Sequence, residues 1–398
     1  MAHIGTLSRS GLDAVRFAYN PSWLANPAAF QLDPSLALSA GEFFPHDSNF
    51  GNFLDSCPDR WGQVLMKRRE LVLAREQGRT RRELRAWDFL LGVQDVTRMG
   101  ALRFCDAAVP QPREFLANEA LGAPPVTQLA ELQQVALELS RKKLDDLPLL
   151  KRWLEVLVAP GASLGGARPK ANLAGDQQSL WIAKFPAADD DTDVALREKL
   201  VHDLARRCGI DVPASRIELI GAGYHTFLVQ RFDRQAGRRR FFTSAMTLLG
   251  KTDKQEASYL ELAEFIATHG CARHIEGDLR ELFRRVAFNV VVANRDDHLR
   301  NHGFLRTAGG WRLAPAFDMN PSTRRDSHVL ALDDVDPTPD LATVLGTAAF
   351  YRLTSTQAEH IVATVIDVVK GWEAAARLLG MSAEDRAELA DLFAMQLP

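Results

Sequence analysis

The chain has 398 residues, of which 46% are apolar and 25% charged, and its formal net charge is -3. That length suits two or three domains with sizeable cores, and a near-neutral balance excludes binding to nucleic acid or anionic membrane through bulk charge alone. Cys57, Cys105, Cys208 and Cys271 form no CxxC pair, Met1 to Gly5 opens no secretory leader, and no apolar run reaches the ~20 residues that cross a bilayer, so free thiols in a cytoplasmic chain are expected.

Residues 1–105 read as one small unit. Val15 to Tyr19 alternates as a half-buried strand does, and Pro58-Asp59-Arg60-Trp61-Gly62 is a turn-to-helix junction. Val64 to Glu76 follows as a helix with Lys67, Arg68 and Arg69 on its solvated side. Residues 106–150 are a proline-containing connector with helices near Val126 to Arg141 and from Asp145 onward.

Residues 151–234 carry a Gly-rich stretch and a strand–helix–strand pattern. In Gly161-Ala162-Ser163-Leu164-Gly165-Gly166, small residues let backbone N–H groups approach phosphate oxygens. No Gly-Lys-Ser/Thr follows, so this is neither a Walker A loop nor a dinucleotide fingerprint, and a plain flexible turn is the competing reading. Leu180 to Phe185 reads as a strand bearing Lys184, an ammonium able to reach ATP phosphates. Thr192 to Cys208 reads as a helix whose Glu198 can pair with that lysine. Strands are expected at Ala214 to Ile220 and Tyr224 to Phe232, with Gln230, Arg231 and Phe232 at an exit where backbone can meet an adenine.

Residues 235–398 are mostly helical. Arg238 to Arg240 form a basic loop, either solvated or facing an acidic or RNA-associated substrate. Tyr259 to Ala267 is one helix; Asp278 is placed to cap another, with Leu279, Leu282, Phe283, Val286 and Val290 on one face. Gly303 to Leu305 and Trp311 to Leu313 read as a hairpin. Helices at Thr356 to Lys370, Trp372 to Leu379 and Ala383 to Met395 end the chain, the first with Thr356 and Glu359 at capping-box spacing.

Between these helices and the hairpin lies Asn294-Arg295-Asp296-Asp297-His298-Leu299-Arg300-Asn301. The interval from Asp296 to Asn301 is that of the kinase catalytic loop, where the Asp accepts the hydroxyl proton and the Asn holds magnesium. Asp318, beyond the hairpin, fits the place of a second metal-holding carboxylate. Such clusters are also ordinary turn chemistry. What distinguishes this one is order: Gly-rich loop, strand Lys, helix Glu, strand exit, Asp-x4-Asn loop, hairpin, Asp. That order predicts an α+β, two-lobed protein-kinase-like fold, with a strand-rich N-terminal lobe over an all-helical C-terminal lobe.

The residues also resemble the HipA family of serine/threonine kinase toxins from bacterial type II toxin–antitoxin modules. The likeness lies in Ser163 to Lys170, Ala183 to Pro186, Arg231 to Arg234, Asn294 to Asn301 and Leu313 to Asp318, with Pro58 to Gly62 similar to the family's N-terminal subdomain motif. The resemblance implies that Asp296 is the catalytic base and that Asn301 and Asp318 hold Mg2+. It implies that Ser163, Leu164, Gly165, Gly166, Lys184, Gln230, Arg231, Phe232, His298, Asn301 and Asp318 line the ATP site, and that Ser163 is an autophosphorylation site. It further implies a helix-turn-helix antitoxin as partner, a translation-related protein such as an aminoacyl-tRNA synthetase as substrate, and DNA contact only through the antitoxin. Met319-Asn320 stands where eukaryotic-type kinases have Phe-Gly, and no Ala-Pro-Glu element follows, so a phosphorylated activation loop is not implied. The alternatives are a small-molecule phosphotransferase of kinase-like fold and an antitoxin-dependent co-repressor without catalysis.

Overall fold

The computed structural model describes residues 1–10, 14–109, 114–116, 126–140, 168–221, 223–253, 255–322 and 325–394. The helix expected from Asp145 and the Gly-rich residues Ser163, Leu164, Gly165 and Gly166 lie outside the described residues. The chain divides into two compact units: Met1–Ala183 with Asp233–Lys251, and Lys184–Phe232 with Thr252–Pro398.

In the first unit, strands β1 (Gly5–Ser10) and β2 (Ala14–Tyr19) pair antiparallel, Gly5 opposite Tyr19. The alternation along β2 buries Val15, Phe17 and Tyr19. Phe17 meets Tyr19, Phe50 and Phe53 in edge and tilted ring contacts, an arrangement the ring quadrupole favours. Helix α1 spans Arg60–Glu76, four residues longer at its start than the apolar pattern indicates. Asp59 explains the difference: its Oδ1 accepts from Gly62 N at 2.8 Å, satisfying one of the orphan donors of the first turn. Helix α2 (Leu129–Ser140) and strands β3 (Lys170–Ala174) and β4 (Leu180–Lys184) follow, β3 beside β4.

On the buried face of α1, Glu70 receives Arg79 through Nη1 at 2.5 Å and Nη2 at 3.2 Å, and the backbone N–H of Arg82 at 2.8 Å. These bonds, the one from Arg79 foremost, hold the Glu70 carboxyl down at about 2. A carboxyl depressed in the folded state contributes stability above its ordinary value and loses it as the pH falls toward about 2. Glu70→Gln is therefore expected to cost about 1.5–3 kcal/mol near neutral pH. Its deficit against wild type should shrink as urea melts are repeated from pH 5 downward.

The second unit begins at the last residue of β4. Helix α3 (Val194–Arg207) is capped by Asp193, whose carboxylate accepts from Leu196 N at 3.1 Å. Strands β5 (Ser215–Glu218) and β6 (Thr226–Gln230) pair antiparallel, Ser215 opposite Val229. Helices α4 (Tyr259–His269) and α5 (Ile275–Val291) lead to strands β7 (Gly303–Thr307) and β8 (Gly310–Leu313), a hairpin with Phe304 opposite Leu313. Gly310 cannot carry a side chain: its φ is +134°, and a Cβ would stand 2.8 Å from the Gly270 backbone. Helices α6 (Ser355–Lys370), α7 (Trp372–Leu378) and α8 (Ala383–Ala394) finish the unit. One core joins α3, α5 and these three helices through Leu200, Leu204, Phe288, Val365, Trp372 and Phe393. Apolar burial of that extent holds α3 and α5, the two helices that carry or precede site residues, in fixed relation.

Three expectations are corrected. Asp278 does not cap a helix: α5 starts at Ile275, and Asp278 sits in its first turn, accepting from Arg312 Nε at 2.8 Å, Arg312 Nη2 at 3.0 Å and Leu313 N at 3.2 Å. Helix α6 takes its capping box from Thr354 and Gln357, not from Thr356 and Glu359. Arg239 is not a free member of a basic loop. It pairs at 3.0 Å with Asp95, whose side chain is 1% exposed. The four cysteines are free thiols, as expected. Among the described residues no helix is long and apolar enough to cross a membrane.

Candidate active site

The loop expected to carry the chemistry hangs from the end of α5. There Ala293 N donates to Val290 O at 3.1 Å and Asn294 N to Asn289 O at 2.9 Å, the pair of bonds of a Schellman motif. The left-handed residue of such a motif is usually glycine; here it is Ala293, at φ 52°. From that point Asn294 works in two directions. Its Nδ2 donates to Asn289 Oδ1 at 3.0 Å, and its Oδ1 accepts from Asn320 N at 3.3 Å.

The second bond ties the loop to the segment that follows the hairpin. Ala314 N reaches Gly303 O at 2.9 Å, Ala316 N reaches Asp211 O at 2.8 Å, and Ser322 N reaches Ala293 O at 2.9 Å. Asp318 is thus clamped between fixed backbone on either side, and it too is left-handed, at φ 59°. Two non-glycine residues in that conformation, one on each arm of the site, store about 1–3 kcal/mol each that the surrounding bonds must offset.

Lys184 bridges two carboxylates. Its Nζ lies 2.6 Å from Glu198 Oε1 on α3 and 2.6 Å from Asp318 Oδ1. Burial opposes the ammonium charge, but the Asp318 and Glu198 carboxylates outweigh it and hold Lys184 above the ordinary lysine range. The pairing of Lys184 with Glu198 is as the sequence suggested. The direct contact of Lys184 with Asp318 was not foreseen.

Asp296 and Asp297 are neighbours in sequence and opposites in environment. The Asp296 side chain is 61% exposed, and Arg325 Nε stands 3.0 Å from its Oδ1. An exposed pair of this kind is worth little, so an incoming hydroxyl can displace it. Asp297 is buried, and its Oδ2 accepts from Tyr259 OH at 2.7 Å, Asn289 Nδ2 at 2.8 Å and His302 Nε2 at 2.7 Å. Burial raises its proton affinity, yet His302 and then Tyr259 overcome that and leave the carboxyl below its ordinary range. Asp297 is the anchor by which the loop is held to α4 and α5, and sequence reasoning missed it. The available signal was Asn289, a polar residue interrupting the apolar run from Val286 to Val292.

Asn301 is buried at the end of a short turn, its N–H on His298 O at 2.8 Å and its Nδ2 turned back to Asp296 O at 3.4 Å. That orientation leaves the amide oxygen for a cation. His298 Nδ1 is buried without a hydrogen-bond partner among the described residues. At the strand exit, Gln230 closes β6 with its N–H on Ala214 O at 2.8 Å, Arg231 is buried, and the Phe232 ring packs on Phe317 at 5.5 Å. Lys184, Gln230 to Phe232, Asp296, His298, Asn301 and Asp318 all belong to the second unit. The donors at Asn301 and Asp318 are an amide and a carboxylate oxygen. A hard cation that keeps waters and takes one or two carboxylates plus phosphate oxygens fits such a set. Among the described residues no cluster of three or more His, Cys, Asp or Glu forms a cage of protein ligands alone.

Fold and site define an α+β protein of the protein-kinase-like class. Residues 1–105 match the HipA N-terminal domain and residues 162–372 the HipA-like C-terminal domain. The chain belongs to the HipA family. It is similar in fold to a chain of the Shewanella oneidensis MR-1 toxin–antitoxin complex of HipA, HipB and operator DNA. The TM-score is 0.69 at 18% identity, over 99% of this chain and 93% of that one. A Haemophilus influenzae protein named "Putative kinase" is 28% identical over 181 residues, 40% of this chain and 52% of that protein. The match spans about half the length of that relative.

Proposed function

We propose that this chain is an ATP- and magnesium-dependent protein serine/threonine kinase, the toxin of a type II toxin–antitoxin module. The observation that carries the reading is the bridge from Glu198 through Lys184 to Asp318, in the same unit as Asp296 and Asn301. A lysine held charged between two carboxylates is poised to exchange one of them for a phosphate oxygen.

In this reading Asp296 accepts the proton of the attacking hydroxyl. Its exposure lets a protein side chain reach it, and a carboxylate within hydrogen-bond reach of the attacking hydroxyl can take its proton. Glu198 keeps Lys184 directed at the nucleotide's phosphates. Asn301 and Asp318 hold magnesium, which when bound neutralises charge on the transferred phosphoryl group. His298 offers its unpartnered nitrogen to the nucleotide, and Gln230, Arg231 and Phe232 border the base. Ser163, Leu164, Gly165 and Gly166 approach the phosphates through backbone N–H groups, and Ser163 is itself phosphorylated. Phosphate there sets nearly two negative charges beside those of ATP, so repulsion disfavours nucleotide binding and limits activity. The partner is a small helix-turn-helix antitoxin through which DNA is reached, and the substrate is a translation component.

The test is incubation of the purified chain with labelled ATP, magnesium and a cell lysate, followed by mapping of labelled residues. Label on serine or threonine, and a fraction of the purified chain heavier by one phosphate, are expected. Lys184→Met should reduce transfer by about 10²-fold or more, the scale for removing one preorganised charge-stabilising group. A chain that neither binds ATP nor transfers phosphate, yet joins a helix-turn-helix protein on operator DNA, would be a binding protein and not a kinase.

A further inference from the structure

Helix α3 carries Glu198, which holds Lys184, and just before it stands Arg197, a charge the chemistry above leaves unused. The Arg197 side chain is 9% exposed and reaches across to α8. Its Nη2 lies 2.7 Å from Asp385 Oδ1 and 2.5 Å from Glu388 Oε2, and its Nε donates to the same Asp385 oxygen at 3.3 Å. Asp385 divides its carboxylate between two tasks: Oδ1 takes the guanidinium, and Oδ2 accepts from Ser382 Oγ at 3.0 Å. Asp385 N donates back to that hydroxyl at 3.0 Å, so the carboxylate is itself held at the start of α8. All of these residues lie in the second unit, with Lys184, Glu198 and Asp318.

A buried ion cluster is a poor source of net stability, because desolvation consumes most of its Coulombic gain. Apolar burial already sets where α3 lies: Leu196, Leu200 and Leu204 enter the core that Leu389 and Phe393 of α8 share. Apolar attraction is non-directional, so the angle of α3 about its own axis is set more sharply by directional bonds. At the start of the helix, Asp193 Oδ2 lies 2.6 Å from His225 Nδ1 and accepts from His225 N at 3.2 Å. That pins the end of α3; Arg197 pins its face. Successive residues are set about 100° apart around a helix, so any turn of α3 that moves Arg197 carries the Glu198 carboxylate with it, away from its 2.6 Å contact with Lys184.

We propose that Arg197 is a positioning residue for phosphate transfer: anchored on Asp385 and Glu388 of α8, it fixes the rotation of α3 and so keeps Glu198 on Lys184. The inference rests on the kinase reading and goes beyond it, since it makes the C-terminal helix an abutment for the lysine that meets the phosphates. Without Glu198 in place, Lys184 falls to Asp318, the carboxylate that the reading assigns to magnesium, and lysine and metal then compete for one group.

The experiment uses the full chain. Arg197→Met/Asp385→Asn removes both members of the buried pair, so neither charge is stranded. Arg197→Lys keeps a charge without the fork. Glu388→Gln alters the outer arm of the cluster, where the side chain is 42% exposed and folding is least disturbed. Each change is made in the wild-type chain and again in Glu198→Gln. Initial rates of labelled phosphate transfer from ATP with magnesium to lysate protein, over a range of ATP, give relative maximal rates and KM. They are measured at a temperature where circular dichroism shows each variant folded. With Glu198 present, Arg197→Met/Asp385→Asn should lower the maximal rate about ten- to a hundredfold, the cost of a small misplacement away from the chemistry. Arg197→Lys and Glu388→Gln should lose less. In the Glu198→Gln background the same changes should cost less than about twofold, because the group they position is already gone. Wild-type rates in the variants, or the same fold-loss in both backgrounds, would make the cluster merely structural and overturn the proposal. Glu388→Gln carries the same comparison if the paired variant does not fold. A wild-type chain that transfers no phosphate would instead sink the kinase reading itself, and that control separates the two failures.

Discussion

On the proposed kinase reading, phosphate transfer by Asp296→Asn is expected to fall about 10²–10⁴-fold, the range general-base catalysis supplies, while ATP binding and folding persist. The substitution keeps shape and removes only the ability to take a proton. Asp296 is 61% exposed, and its ion pair with Arg325, itself 51% exposed, is the kind that contributes little. Stability should therefore change by no more than about 0.5 kcal/mol, as for ordinary surface positions. Initial rates with labelled ATP, set beside urea melts of the same preparation, separate the two effects. Wild-type transfer by the variant would remove Asp296 from the chemistry. Asp297 could not replace it, since that carboxylate is buried and already accepts three hydrogen bonds.

The parts of the fold legible in the sequence are those written in a short span. The β7–β8 hairpin shows as two apolar runs around Gly309-Gly310, and β2 as strict alternation from Val15 to Tyr19. The pairing of Lys184 with Glu198 was legible because strand and helix are adjacent in the chain and each carries one conspicuous charge. Boundaries failed where two local signals compete. Thr354-Ser355-Thr356-Gln357 offers two overlapping caps, and the folded helix takes the one at Thr354. Asp278 reads as a cap because Asp at a helix start usually is one, but Arg312 arrives from the hairpin and claims it.

The candidate site divides in the same way. Asp296, Asn301 and Asp318 are legible because their spacing is a pattern of catalytic loops. The groups that hold them are not, because each bond joins segments distant in the chain. Asn289 stands out only as a polar break in an apolar run, without naming Asp297 as its partner, and nothing near Tyr259 or Ala316 indicates their bonds to Asp297 and Asp211. Arg325 likewise follows Asp318 in a stretch without periodicity, and its contact with Asp296 appears only once the chain is folded. Sequence reports which side chains can do chemistry; the long-range polar bonds that aim them are a property of the packed state.

Asp297→Ala is expected to cost about 3–5 kcal/mol, the scale for breaking a buried charged network by removing one partner. The loss exceeds that of a single hydrogen bond because three donors, Tyr259 OH, Asn289 Nδ2 and His302 Nε2, share the one oxygen Oδ2 and lose it together. Tyr259→Phe removes one donor and leaves the carboxylate partly satisfied, so about 1–2 kcal/mol is expected for it. In the double variant Tyr259→Phe/Asp297→Ala the costs should fall short of their sum, since the hydroxyl that Asp297→Ala strands is already removed by Tyr259→Phe. The pH dependence has a fixed sign. Burial opposes the Asp297 charge, but His302 and Tyr259 hold the carboxyl below its ordinary range. Its contribution is therefore complete above the ordinary carboxylate value and is lost as the pH falls through the depressed one. The stability gap between wild type and Asp297→Ala should narrow in acid and stay constant above about pH 6 with respect to this group. A gap that widens in acid, or strict additivity with Tyr259→Phe, would mean that Asp297 does not anchor the loop as an ionised hub.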